Sequence, residues 1–163
     1  MTPRVSSGDR LPQAVLGRLL HGVAQRVDLQ ALFAGKRAVV VGVPGAFTPV
    51  CSCEHIPDLL KNVARFRASG IDHVVCVAPD NPWVVEAWAR EVDPGGRILF
   101  LSDGNLSLAR ALGVNVVDAD RCLGEVSARY MMLIDRGVVR RLNVEAGIND
   151  LTCTRSEDVV FID

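Results

Sequence analysis

The feature that most constrains this chain is a series of short β-branched runs separated by helical stretches. Residues 38–44 (AVVVGVP), 73–79 (HVVCVAP), 98–102 (ILFLS) and 130–135 (YMMLID) are apolar, strand-sized and bounded by turn residues. They predict buried strands. Residues 138–144 (VVRRLNV) follow Asp135-Arg136-Gly137, a turn signal, which predicts a hairpin with the strand before it. Between the runs lie helical patterns. Over 49–68, Ile56, Leu59, Leu60, Val63 and Phe66 fall at helical spacing, and Gly70 ends the pattern. Shorter helices are predicted over 82–91 and 105–112, a turn or two over 28–34 with Asp28 as N-cap, and a closing helix over 156–162. Strand–helix alternation followed by a hairpin predicts an α/β fold, three layers (α/β/α) around a mixed central sheet, with 1–163 as one domain.

Composition narrows the function. At 49% apolar, the 163 residues hold enough for a substantial core, and 23% charged residues argue against disorder. The net charge is -1 and the basic residues are scattered, unlike a nucleic-acid footprint. No apolar run approaches the roughly 18 residues of a membrane span. The stretch 12–27 is amphipathic and carries arginines but no acid, a composition shared with transit peptides. Five cysteines form no small-domain disulfide framework, so reduced thiols in the cytoplasm are expected, with an organellar location as the alternative.

The segment richest in chemistry is Pro44-Gly45-Ala46-Phe47-Thr48-Pro49-Val50-Cys51, which joins a buried strand to the longest helix. Pro49 suits a first helical turn and Thr48 a helix N-cap. Cys51 then lies in that turn, where free N–H groups and the positive end of the dipole favour an anionic sulfur. Against this stands the plain alternative of a buried cysteine acting as a small hydrophobe.

The segment GVPGAFTPVCSCEHIP resembles the active-site segment of type II peroxiredoxins, the group that includes the peroxiredoxin-5 enzymes. DNPWVVEAWA, LSDGNLSLARALG and ARYMMLIDRGVVRRLNVE are similar to further family stretches, the first with Asn and Asp exchanged. The likeness begins near 8–12 (GDRLP), which implies no removable leader. It implies a thioredoxin-like (redoxin) fold and a peroxidase in which Cys51 attacks peroxide and becomes a sulfenic acid. The family's catalytic Thr and Arg map to Thr48 and Arg129, Pro44 shields the sulfur, and His55 matches a supporting His. No metal, haem, flavin or other cofactor is implied. The implied partners are a peroxide, a thioredoxin, glutaredoxin or glutathione reductant, and a second copy of the chain, with Phe47 and Trp83 as candidate contacts.

Cys153, in DLTCT, resembles the resolving segment of animal peroxiredoxin-5 enzymes, whereas Cys76 lies where some plant type II enzymes carry their resolver. An external thiol is the third alternative. Cys53 lies outside the family pattern, and Cys122 is expected in an exposed loop. A sensor that oxidises once without turnover, on the same fold, remains the alternative function.

Ionisation alone does not make such a sulfur fast. A free thiol with pKa about 8.5 is roughly 7% ionised at pH 7.4, so full ionisation gains only about tenfold. Nucleophilicity falls with pKa at a slope of about 0.4–0.5, which cancels most of that gain. Fixed donors must therefore supply the acceleration, and the hydroxyl of Thr48 and the guanidinium of Arg129 are the candidates.

Overall fold

In the computed structural model, which describes residues 1–159, the strands are β1 (Val15–Leu20), β2 (Val23–Asp28), β3 (Arg37–Gly42), β4 (His73–Ala78), β5 (Leu99–Ser102), β6 (Asn115–Asp118), β7 (Gly124–Ser127), β8 (Tyr130–Asp135) and β9 (Val138–Val144). Helices α1 (Leu29–Leu32), α2 (Ile56–Ala68), α3 (Pro82–Val92) and α4 (Ser107–Leu112) lie between them. The main sheet has the order β2-β1-β5-β4-β3-β8-β9. Its centre, β5-β4-β3, is parallel, while β1 and β8 run antiparallel on either side. The sheet is mixed, as expected.

Alternation along the central strands explains why they are apolar throughout. Ala38 and Val40, Val75 and Val77, and Tyr130, Met132 and Ile134 point into a core shared with α1 and α4. Their neighbours Val39 and Val41, Val74 and Cys76, and Met131 and Leu133 point to the opposite face, beneath α2 and α3. Both faces are covered, giving three layers. On the second face Ile56, Leu59, Val63 and Phe66 pin α2 to the sheet at 4% exposure or less. Each such side chain contributes about 1.5–3 kcal/mol.

The β8–β9 hairpin and the Asp28 cap form as predicted, with the Asp28 carboxylate accepting from Gln30 N at 2.9 Å. Two expectations change, and one hairpin is new. The stretch 12–27 is mostly the β1–β2 hairpin, turned at His21 and Gly22, whose φ values of 50° and 78° suit a two-residue hairpin turn. A second hairpin, β6–β7, went unread; Cys122 lies exposed near its turn. The predicted closing helix is a 3-10 turn over Ser156–Asp158, and its remainder falls largely outside the described residues.

Candidate active site

Helical backbone begins at residue 49, as the sequence pattern requires, but its start is a π-turn over Cys51–His55 that passes into α2. Single π-turns widen a helix and recur at functional sites. Here both Cys51 and His55 are buried. Thr48 holds the expected N-cap position, its carbonyl accepting from Ser52 N at 3.0 Å, but its hydroxyl turns to other partners. The Thr48 hydroxyl lies 2.8 Å from the Gly45 carbonyl and 2.8 Å from Cys51 Sγ. It has one proton for two acceptors. With the sulfur protonated, the S–H donates to Oγ1 and the hydroxyl to Gly45; with the sulfur anionic, both compete for the hydroxyl proton.

Arg129 reaches the same sulfur from the start of β8. Its Nη2 donates to Cys51 Sγ at 3.3 Å and to the Ile148 carbonyl at 3.2 Å. Nε donates to the Asp150 carbonyl at 3.1 Å. Nη1 meets His55 Nδ1 at 3.1 Å, and His55 Nε2 meets the Thr154 carbonyl at 2.9 Å. A carbonyl only accepts, so Nε2 carries the imidazole proton and Nδ1 accepts from the guanidinium. Burial, reinforced by the charge of Arg129, lowers the His55 pKa from 6.5 to about 4. The ring is therefore neutral at physiological pH.

A guanidinium at 1% exposure needs compensation. None of the ion pairs among the described residues involves Arg129. With His55 neutral and its other partners carbonyls, the group facing Arg129 that can carry negative charge is the Cys51 sulfur.

The surroundings fix this arrangement. At the end of β3, Gly42 lies against the Tyr130 ring: a Cβ there would come within 2.0 Å of it, so no larger residue fits. The Ala46 N–H donates to the Asp80 carboxylate at 2.7 Å, while Asn81 caps α3 through Val84 N at 3.0 Å. The exchanged Asp-Asn pair thus divides two tasks, loop anchor and helix cap. Trp88, fully buried beneath the π-turn, donates to Ser52 Oγ at 2.9 Å. Pro44 is buried beside the loop, while Phe47 (φ 62°) and Trp83 project to 49% and 57% exposure.

All five cysteines are free thiols. Cys76 is fully buried in mid-β4, on the same face as Cys51, and burial pushes its thiol pKa far up. Cys153 lies in a strap over residues 148–156 that delivers the carbonyls held by Arg129 and His55. Cys53 is exposed on the π-turn. The sequence reading passed over Glu145, although it closes the quoted LNVE stretch. It is 3% exposed and gathers the Thr152 and Cys153 amides and the Thr152 and Thr154 hydroxyls at 2.7–2.8 Å. Burial alone would push its carboxyl up, but these four donors outweigh burial and hold its pKa at about 2. The 510 Å³ groove lined by Val15, Gly17, Arg26, Asn81 and Ser107 contains none of Thr48, Cys51, His55 and Arg129.

A thioredoxin-like α/β scaffold carrying a buried Cys–Arg pair with a threonine hydroxyl on the sulfur, at a strand-to-helix junction, defines a thiol-based redox protein. Known proteins agree with that class. The Redoxin family profile matches residues 6–159, and the chain belongs to that family. It is 41% identical over 148 residues to "Peroxiredoxin-2E-2, chloroplastic" of Oryza sativa subsp. japonica, covering 88% of this chain and 66% of that protein. It is 37% identical to "Peroxiredoxin-2E, chloroplastic" of Arabidopsis thaliana, covering 98% and 70% respectively. The crystal structure of reduced Prx3 in complex with H2O2 from Vibrio vulnificus superposes with a TM-score of 0.88 at 36% identity, over 94% of this chain and 96% of that one. Thiol-dependent peroxidase activity, with a peroxide as substrate and a thiol as reductant, is what this family membership carries. No helix among the described residues is long and apolar enough to cross a membrane.

Proposed function

We propose that this chain, acting as one redoxin domain, reduces hydrogen peroxide and organic hydroperoxides through a sulfenic acid on Cys51. The supporting observation is the buried guanidinium of Arg129, 3.3 Å from a sulfur whose other polar neighbour is the Thr48 hydroxyl at 2.8 Å. The Cys51 thiolate attacks one peroxide oxygen. An S–O bond forms, the O–O bond breaks, and the leaving oxygen departs as water or alcohol after taking a proton. Arg129 stabilises the charge that moves from sulfur to the leaving oxygen, and Thr48 orients the peroxide. Pro44 keeps water from the sulfur. His55 holds the guanidinium in place and does not carry the proton, because it is neutral and both its nitrogens are engaged. The complex of the Vibrio protein with H2O2 supports the choice of substrate.

Cys153 is the favoured resolver because its strap already touches the site; Cys76 is the alternative. The thiolate of Cys153 attacks the sulfenic sulfur, forming a disulfide as the hydroxyl leaves and takes a proton to become water, and a thioredoxin, glutaredoxin or glutathione donor restores both thiols. A homodimer covering the exposed Phe47 and Trp83 and a cytoplasmic location complete the reading, with an organelle as the alternative location. Intact-mass analysis and peptide mapping after one equivalent of peroxide test it. A Cys51–Cys153 disulfide and steady turnover with one of these donors are expected. A single burst without turnover identifies a sensor instead, and an unmodified Cys51 overturns the reading.

A further inference from the structure

The strap serves two steps that make opposite demands on it. During peroxide attack it must stay in place, because the Ile148 and Asp150 carbonyls hold the Arg129 guanidinium. During resolution it must release Cys153, whose Sγ is turned to the Val144 carbonyl at 3.6 Å. A further tie on the strap has no part in the peroxide chemistry derived above. Glu145 accepts two amide and two hydroxyl bonds from three successive residues, Thr152, Cys153 and Thr154. Its own N–H donates to the Arg129 carbonyl at 2.9 Å, so the latch and the guanidinium share one end of the β8–β9 hairpin. Asn143 reinforces it by donating to the Cys153 carbonyl at 2.8 Å.

We propose that Glu145 is a positioning residue that latches the Cys153 strap and thereby delays resolution behind the peroxide step. This rests on Cys153 being the resolver. Bonds to an ionised carboxylate are about twice as strong as neutral ones, so the latch resists opening. The carboxylate also acts on the thiol itself. Burial raises the Cys153 pKa, and the charge of Glu145 and its hydrogen bond raise it further. Asp158, on the 3-10 turn, pushes the same way, while the Thr152 hydroxyl opposes them. The neighbouring Arg155 is directed to the Leu151 carbonyl and Glu54, not to the sulfur. A latched Cys153 is thus both misplaced and protonated, and only the thiolate attacks. Oxidation supplies the release. A sulfenic acid adds an oxygen to a fully buried sulfur, beside the guanidinium bonded to the strap.

Stopped-flow tryptophan fluorescence separates Cys51 oxidation from disulfide formation. In Glu145→Gln, the retained carbonyl oxygen keeps the shape of the latch while the charge is gone. Disulfide formation is expected to rise about fivefold, with its pH profile moved to lower pH. Less Cys51 sulfinic acid should accumulate at a given peroxide dose, because the sulfenic acid is shorter-lived. A merely structural role would slow both phases instead. Thr152→Val removes one latch bond and keeps the carboxylate, so it should speed disulfide formation without the same pH shift, even if the Gln variant fails to fold. Unchanged second phases in the variants overturn the latch. In Cys153→Ser, loss of the intramolecular disulfide upholds the resolver; a persisting Cys51–Cys76 disulfide overturns the resolver and the latch with it.

Discussion

Cys51 and Cys76 lie on the same face of the same sheet, in the same core cluster, each at 0% exposure. By burial alone they are indistinguishable. They differ in what surrounds the sulfur. Cys51 faces a hydroxyl at 2.8 Å and a guanidinium at 3.3 Å, delivered by a π-turn and by the start of β8. Cys76 sits in the middle of a parallel strand among apolar neighbours, and burial keeps it a thiol. Burial without donors makes a thiol inert, whereas burial with fixed donors concentrates their effect in a low-dielectric site.

The sharpest test exchanges the two sulfurs. Cys51→Ser should abolish turnover, since a hydroxyl there supplies no comparable nucleophile. Cys76→Val should leave the second-order rate with peroxide within about threefold of native, because the change keeps an apolar group of similar size. Equal losses in the two variants, measured by single-turnover peroxide consumption, would erase the distinction.

The next largest effect belongs to the donors. Arg129→Met removes the charge while keeping bulk, and Thr48→Val removes the hydroxyl. Each should lower the rate of Cys51 oxidation about 10²–10³-fold, the usual cost of one preorganised donor. Arg129→Lys should recover little, because an ammonium cannot span the sulfur, His55 and two carbonyls as the planar fork does. If Arg129→Met reacted at the native rate, the cluster would be a packing device.

The cluster also has a stability cost with a defined pH window. Burial holds the His55 pKa at about 4 in the folded chain, against its ordinary 6.5. Between these values the unfolded chain binds the additional proton. The contribution of His55 is therefore intact above about pH 6.5 and is lost as pH falls toward 4, by about 3 kcal/mol in total. Glu145 adds a separate loss at lower pH, from about 4.5 down to about 2. Urea denaturation across pH 7 to 4 should show the first slope in the native protein and lose most of it in His55→Gln. Cys76, uncharged throughout, contributes no such slope.

Much of this was legible in the sequence because it is written locally. The apolar runs located β3, β4, β5 and β8, and one contiguous motif located Thr48, Cys51 and His55. What stayed hidden depends on pairing across distance. The β1–β2 hairpin is a solvated edge where arginines and Gln25 dilute the alternation, so it read only as amphipathic. Thr48 looked like a helix cap because the residue type suits one; only the π-turn and the sulfur's position reassign the hydroxyl. Glu145 closes the LNVE stretch, but nothing in that stretch marks the bonds it makes. Its four donors come from residues seven to nine positions away, brought in by the return of the chain after β9.

The smallest expected effect concerns substrate choice. Val50, the half-buried residue before the π-turn, places an apolar side chain next to Cys51. An alkyl hydroperoxide can bury its chain against such a surface, whereas hydrogen peroxide has nothing to bury. One methylene's worth of contact is about 0.8 kcal/mol, or roughly fourfold in relative rate. Val50→Ser should therefore lower the ratio of organic-hydroperoxide to hydrogen-peroxide rates by about that factor. The donors that act on the oxygen–oxygen bond are common to both substrates, so the comparison isolates the wall of the site from its chemistry. A fall in both rates together would assign Val50 to the π-turn's stability instead, and an unchanged ratio would place selectivity elsewhere on the loop.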